Sequence, residues 1–226
     1  MNVITFASRK GGSGKSTLAA HLAAVANKPN RPCLLIDADP QGSLTLWNRL
    51  RRSDGLALKN GTRGVADIVK AAKRDGCEWV LIDTPPLMSA VVADAIRAAT
   101  LVVIPARATI FDLTAVRETI ELCRQLRKPY AVAFNAAPVK RNDMESPIVV
   151  QARQGLTRLG IPLWAGQITN RTSFSFALAS GEGVKEFAEE SLAAAEMNAL
   201  WGAIEKSVKA INGAYAAANT MHRAAA

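Results

Sequence analysis

The sequence predicts an α/β fold: a single doubly wound, mostly parallel sheet flanked by helices on both faces. Three observations predict it. Apolar, β-branched runs alternate with helix-like stretches along most of the 226 residues, the pattern that strands buried on both faces produce. A glycine- and lysine-rich octet, Lys10-Gly11-Gly12-Ser13-Gly14-Lys15-Ser16-Thr17, separates the first run from the first helical stretch. Carboxylates stand at the ends of the next two runs, and open parallel sheets bind ligands beyond the carboxyl ends of their strands.

The elements follow in order. Asn2–Ser8 reads as a strand, and the Ala/Leu-rich stretch Ser16–Ala26 as the helix behind the octet. Pro32–Ile36 reads as a strand that closes on Asp37-Ala38-Asp39-Pro40-Gln41-Gly42, and Gly64–Arg74 as a helix. Trp79–Ile82 closes on Asp83-Thr84-Pro85-Pro86, and Ser89–Ala98 is helical. Thr100–Ile104, Tyr130–Phe134 and Pro162–Ile168 complete the strands, separated by helical patterns at Leu113–Leu126 and Pro147–Leu159. A last helical region, Val184–Ile211, packs along the outside. Residues 1–213 thus read as one domain and 214–226 as an Ala-rich, frayed tail.

The octet fits G-x-x-x-x-G-K-[ST], except that Arg9 stands where the first glycine is usual and Lys10 adds a second lysine. Such a loop wraps successive backbone N–H groups around phosphate oxygens at a helix N-terminus. Lys15 then reaches the terminal phosphates and Ser16 holds Mg²⁺. A lone aspartate at a strand end would merely cap the next helix. Asp37, Asp39 and Asp83 together, beside a phosphate loop, suit a water-shelled Mg²⁺ and an oriented attacking water.

Composition narrows the class. At 49% hydrophobic and 21% charged residues the chain has an ordinary globular balance. No apolar run is long enough to span a membrane, and a strand leading straight into the octet leaves no signal-peptide layout. Cys33, Cys77 and Cys123 are scattered, which suits buried thiols in a reducing cytoplasm better than a metal site. The net charge of +9 lies in the first two-thirds: residues 1–80 hold 13 basic and 6 acidic side chains. That balance suits a polyanion partner. His21 reads as a helix-surface residue, and Trp47, Trp79, Trp164 and Trp201 as core or interface residues.

These motifs resemble the ParA/MinD family of deviant Walker-A ATPases, specifically the compact ParA type, over nearly the whole chain. The octet looks like the family's K-G-G-x-G-K-[ST]-T, Asp37 to Gly42 like its D-x-D-P-Q-G switch segment, and Ile82 to Pro86 like its Walker-B segment. Asn135 follows a strand as the family's adenine-proximal asparagine does. Arg171 through Gly181-Glu182-Gly183-Val184 is similar to a stretch of compact members.

The resemblance implies a P-loop NTPase fold, ATP and Mg²⁺ as cofactors, and slow, partner-stimulated ATP hydrolysis. Lys10, Gly11, Gly12, Ser13, Gly14, Lys15, Ser16, Thr17 and Asn135 would bind ATP, with Lys10 crossing a homodimer interface to the partner's phosphates. Ser16, with Asp37 and Asp83 through water, would surround Mg²⁺, and Asp39 would help orient the hydrolytic water. Lys10, Lys15 and Asp39 would then be the catalytic set. The implied function is partitioning or positioning of DNA or another intracellular cargo by a cytoplasmic, nucleoid-associated dimer. Its implied partners are non-specific DNA and a ParB-like or adaptor protein that stimulates hydrolysis. Lys140, Arg141, Arg171 and Lys185 are the positions most similar to DNA-contacting residues of compact members. Long ParA proteins carry an N-terminal helix-turn-helix domain that this sequence is expected to lack. The end of the chain is poor in the basic amphipathic character of MinD-like membrane anchors. A metabolic P-loop enzyme would be expected to carry an added substrate domain.

Overall fold

The computed structural model describes residues 1–53, 55–87 and 89–224. Its strands are β1 (Asn2–Phe6), β2 (Cys33–Asp37), β3 (Ala57–Asn60), β4 (Trp79–Asp83), β5 (Leu101–Ala106), β6 (Tyr130–Ala137) and β7 (Leu163–Thr169). They form one sheet in the order β3-β2-β4-β1-β5-β6-β7, and every pairing is parallel. The helices are α1 (Lys15–Ala26), α2 (Ser43–Leu50), α3 (Ala66–Arg74), α4 (Ala90–Ala98), α5 (Ile110–Gln125), α6 (Pro147–Arg158), α7 (Thr172–Ala179), α8 (Val184–Phe187) and α9 (Leu192–Ala224). α1, α2, α7, α8 and α9 bury one face of the sheet, through Leu18, Leu22, Trp47, Phe174, Val184 and Trp201 among others. α3, α4, α5 and α6 bury the other. The doubly wound fold expected from the sequence is present, with no antiparallel strand pairing among the described residues.

Three elements were not anticipated. β3 is short, exposed and at the sheet edge, so it lacks the apolar run that marks a central strand. α2 and α7 are eight-residue helices, each packed on the α1 face by a few large side chains. The expected Val184–Ile211 helix is broken: α8 ends at Phe187, a turn follows, and α9 starts at Leu192. α9 continues through Gly213 to Ala224, although its residues 212–218 are exposed. Ala225 and Ala226 of the expected tail lie outside the described residues.

His21 corrects a surface assignment. It is fully buried in α1, packs against Phe174, and its Nδ1 accepts a hydrogen bond from the Val184 N–H at 2.9 Å. Burial lowers its pKa to about 4, against the opposing effects of the Phe174 backbone and the Glu186 charge. Trp47, Trp79 and Trp201 are core residues, and Trp164 packs against the same core.

Candidate functional site

Register brings the site together. Phe6, Asp83 and Asp37 are aligned across β1, β4 and β2, so both carboxylates stand beside the point where the chain leaves β1. Thr84 donates its hydroxyl to the Phe6 carbonyl at 2.7 Å, tying the β4 end to the base of the loop. The loop then runs from Ala7 to Gly14, which caps α1 with a left-handed φ of 101°. A side chain at Gly14 would also strike the Asn135 amide, so this position requires glycine twice over.

Lys15, the first residue of α1, is buried, and its ammonium donates to the carbonyls of Ser8 at 3.2 Å and Lys10 at 3.3 Å. Burial lowers its pKa, while the charges of Asp83 and Asp39 oppose the fall. Lys10 itself is exposed. The two lysines of the octet therefore differ: one is folded into its own loop and the other is exposed on the surface.

The three aspartates also separate. Asp37 is fully buried and satisfied: one oxygen accepts from the Thr45 N–H at 2.8 Å and hydroxyl at 2.7 Å, the other from the Asp39 N–H at 3.3 Å. It anchors the first turn of α2, whose cap residue Gly42 has no side chain to do so. Asp39 accepts from the Gln41 N–H at 2.9 Å through one oxygen, and it lines the cleft. Asp83 is fully buried and neither oxygen has a hydrogen bond of good geometry among the described residues, although the Ser16 hydroxyl is near enough to interact with the carboxylate. Burial pushes its pKa up to about 7, against the Ser16 hydroxyl and the Lys15 charge. An orphaned buried carboxylate is costly. Beside a serine hydroxyl and a phosphate loop, it fits an oxygen-ligated cation such as Mg²⁺. Ser16 and Asp83 are thus the pair that fits the metal, while Asp37 is already occupied.

A cleft of about 690 Å³ opens over the loop and the start of α1. Its far wall is apolar, built from Leu44, Leu46, Trp47 and Leu50 of α2 with Leu178 of α7. Asn135 does not line it: the side-chain amide donates to the Ser13 carbonyl at 2.8 Å, beneath the loop.

The basic candidates are placed unequally. Lys140 and Arg141 are exposed on the turn after β6, closed by paired backbone bonds between Arg141 and Met144. Lys185 is half-buried on α8. Arg171 is committed elsewhere, because its guanidinium bonds Glu196 at 3.0 Å, and Glu196 also holds the Thr169 N–H and hydroxyl.

Two pairings were not readable in the sequence: one places a residue it did not single out, and the other ties Arg51, read there as a cation for the dimer or a partner, to its own chain. Arg107, beyond β5, donates to the Gly12 carbonyl at 2.8 Å. Arg51, after α2, is almost buried and forms a two-pronged pair with Glu186 at 2.8 and 2.5 Å, with Nη1 also 3.2 Å from the Gly181 carbonyl. Their only sequence signal is position, one beyond a strand end and one just past the switch segment.

The family model for the CobQ/CobB/MinD/ParA nucleotide-binding domain matches residues 4–184. Protein ParA of Rhizobium radiobacter is 29% identical over 186 residues, covering 77% of this chain and 81% of that protein. The maintenance of carboxysome distribution protein A of Gloeobacter kilaueensis is 30% identical over 162 residues, covering 71% and 73%. A Cyanothece McdA variant solved as an ATP complex superposes with a TM-score of 0.71 at 18% identity, covering 94% of this chain and 96% of that one. That last likeness is one of fold.

Proposed function

The chain belongs to the CobQ/CobB/MinD/ParA nucleotide-binding family, and we propose that it is a ParA-type ATPase that dimerises around ATP, binds DNA without sequence preference, and is reset by hydrolysis. The observation that carries this reading is the orphaned Asp83 carboxylate beside Ser16 and the buried Lys15, at the foot of a glycine loop. Bound Mg²⁺ would supply neutralising charge at the phosphates, with Ser16 and Asp83 holding it.

The chain's own residues do the rest. Lys15 turns from the Ser8 and Lys10 carbonyls to the terminal phosphates. The loop amides cradle the phosphate oxygens, and Asp39 orients the attacking water. Lys10 reaches the nucleotide of the second subunit, adding the cationic charge that phosphoryl transfer needs more than it needs a strong base. A dimer doubles any basic surface, so ATP switches DNA affinity by joining two weak sites. The cargo is DNA or another intracellular assembly, and a ParB-like or adaptor protein accelerates the reset.

Light scattering tests this reading with and without Mg·ATP. A nucleotide-dependent rise to dimer mass is expected, abolished in Lys10→Ala, which still binds nucleotide through Lys15. Duplex binding should follow the dimer and weaken steeply with salt, by a log–log slope of about −0.9 per phosphate neutralised. The same mass in every condition, unaffected by the substitution, would refute it. Binding to anionic vesicles without binding to duplex would move the cargo surface to a membrane.

A further inference from the structure

We propose that Arg107 is a positioning residue for the phosphate loop, setting the direction of its backbone N–H groups before nucleotide arrives. The inference rests on the nucleotide-binding reading above and adds a residue to it. β1 and β5 are neighbours in register, from Ile4 opposite Leu101 to Phe6 opposite Val103. The chain leaves β1 toward β2 on one side and leaves β5 toward β6 on the other, so the crevice between them is the topological switch point. Arg107 is the first residue beyond β5 and therefore stands beside the loop that begins beyond β1.

Its backbone is fixed. The Arg107 N–H donates to Asp112 Oδ1 at 3.3 Å, and Asp112 is buried. The other Asp112 oxygen accepts the Thr109 hydroxyl at 2.7 Å, while the Asp112 N–H donates back to Thr109 Oγ1 at 3.3 Å. This reciprocal cap starts α5 and holds the Cα of Arg107 at the switch point. From there the guanidinium reaches the Gly12 carbonyl at 2.8 Å.

The consequence follows from peptide planarity. A carbonyl and the next residue's N–H point in opposite directions across a trans peptide. Holding the Gly12 carbonyl on Arg107 therefore aims the Ser13 N–H to the other side. Asn135 does the same for the next peptide through the Ser13 carbonyl, and Lys15 for the carbonyls of Ser8 and Lys10. Lys15 is the clamp that phosphate must withdraw. Arg107 does not line the cleft and its guanidinium has no other hydrogen-bond partner among the described residues, so its grip on Gly12 can persist when the loop is filled. The loop glycines have no side chains with which to hold themselves, so the restraint must come from outside.

The test is a titration with a fluorescent ATP analogue, together with steady-state turnover and thermal unfolding, for wild type, Arg107→Met and Arg107→Lys. Arg107→Met should raise Kd and KM roughly tenfold, the scale of losing one charge-assisted hydrogen bond. Its kcat should stay within about twofold, the signature of lost uniform binding. Arg107→Lys, which keeps a cationic donor, should recover most of the affinity. The proposal is overturned if Arg107→Met binds like wild type, if Arg107→Lys is no better than Arg107→Met, or if only the melting temperature moves. A wild-type protein that bound no nucleotide would instead overturn the underlying reading, and the clamp with it.

Discussion

Replacing Arg51 with Met removes the pin that fastens α2 to the α7–α8 segment. Arg51 is 5% exposed and Glu186 28% exposed, and the guanidinium also lies 5.3 Å from the Trp47 ring centroid. Trp47 in turn donates its Nε1–H to the Glu182 carbonyl at 3.3 Å. Gly181 permits the approach: with φ at +76°, any side chain there would collide with the backbone of Leu50 and Arg51. Breaking a buried pair from one side costs about 3–5 kcal/mol. Glu186 keeps some water and its bond from the Gly183 N–H at 2.7 Å, so the lower end, about 3 kcal/mol, is expected here. At roughly 2–4 °C per kcal/mol for a chain of this size, the melting temperature should fall by about 6–12 °C. Thermal unfolding of the nucleotide-free protein by circular dichroism reads this directly. Adding Glu186→Gln should recover part of the loss, giving a coupling of about 1 kcal/mol or more in a double-mutant cycle. A single variant melting within about 2 °C of wild type, with additive substitutions, would refute the pin and return Arg51 to the pool of surface cations.

Other expectations follow from the same side chains. Asp39→Ala should slow phosphate release by about a hundredfold or more while accumulating the ATP dimer, whereas Asp37→Ala should show itself as a lower melting temperature of the apo protein, because it uncaps α2. His21 makes the fold acid-sensitive: burial lowers its folded pKa from 6.5 to about 4, so the unfolded chain binds more protons between those values. Its stabilisation is complete above pH 6.5 and is lost as pH falls through 4, about 3 kcal/mol in all. Asp83, whose pKa burial raises to about 7, acts in the opposite sense over the same range, so the His21 contribution is read as a difference: the wild-type urea midpoint should fall relative to that of His21→Gln as pH drops from 6.5 to 4.

Much of this was legible in the sequence because it rests on short-range grammar. Central strands announce themselves by unbroken apolar runs such as Val80-Leu81-Ile82, and the octet specifies its own loop. β3 was not legible, since an edge strand with exposed residues carries no such run. α2 and α7 are too short for periodicity to separate from a loop. The aspartates were legible as a set but not as individuals. Nothing in Asp37-Ala38-Asp39 says that Thr45 will satisfy the first and leave the cleft to the second. Arg107, Arg51 and Arg171 are each decided by partners 25 or more residues away, which only topology brings near.

The same topology explains why one loop needs two lysines with opposite exposures. Lys15 is buried with the charges of Asp83 and Asp39 opposing the fall in its pKa, and it spends its hydrogen bonds on the Ser8 and Lys10 carbonyls. Phosphate must draw it off both. One of the two carbonyls then released belongs to Lys10, the exposed lysine of the loop. In the dimer proposed above, occupancy of one subunit's phosphate site would thereby be felt at the backbone of the residue that reaches the other's. Under that proposal a loop arranged in this way would tie dimerisation to nucleotide binding through a single peptide unit, before any hydrolysis takes place.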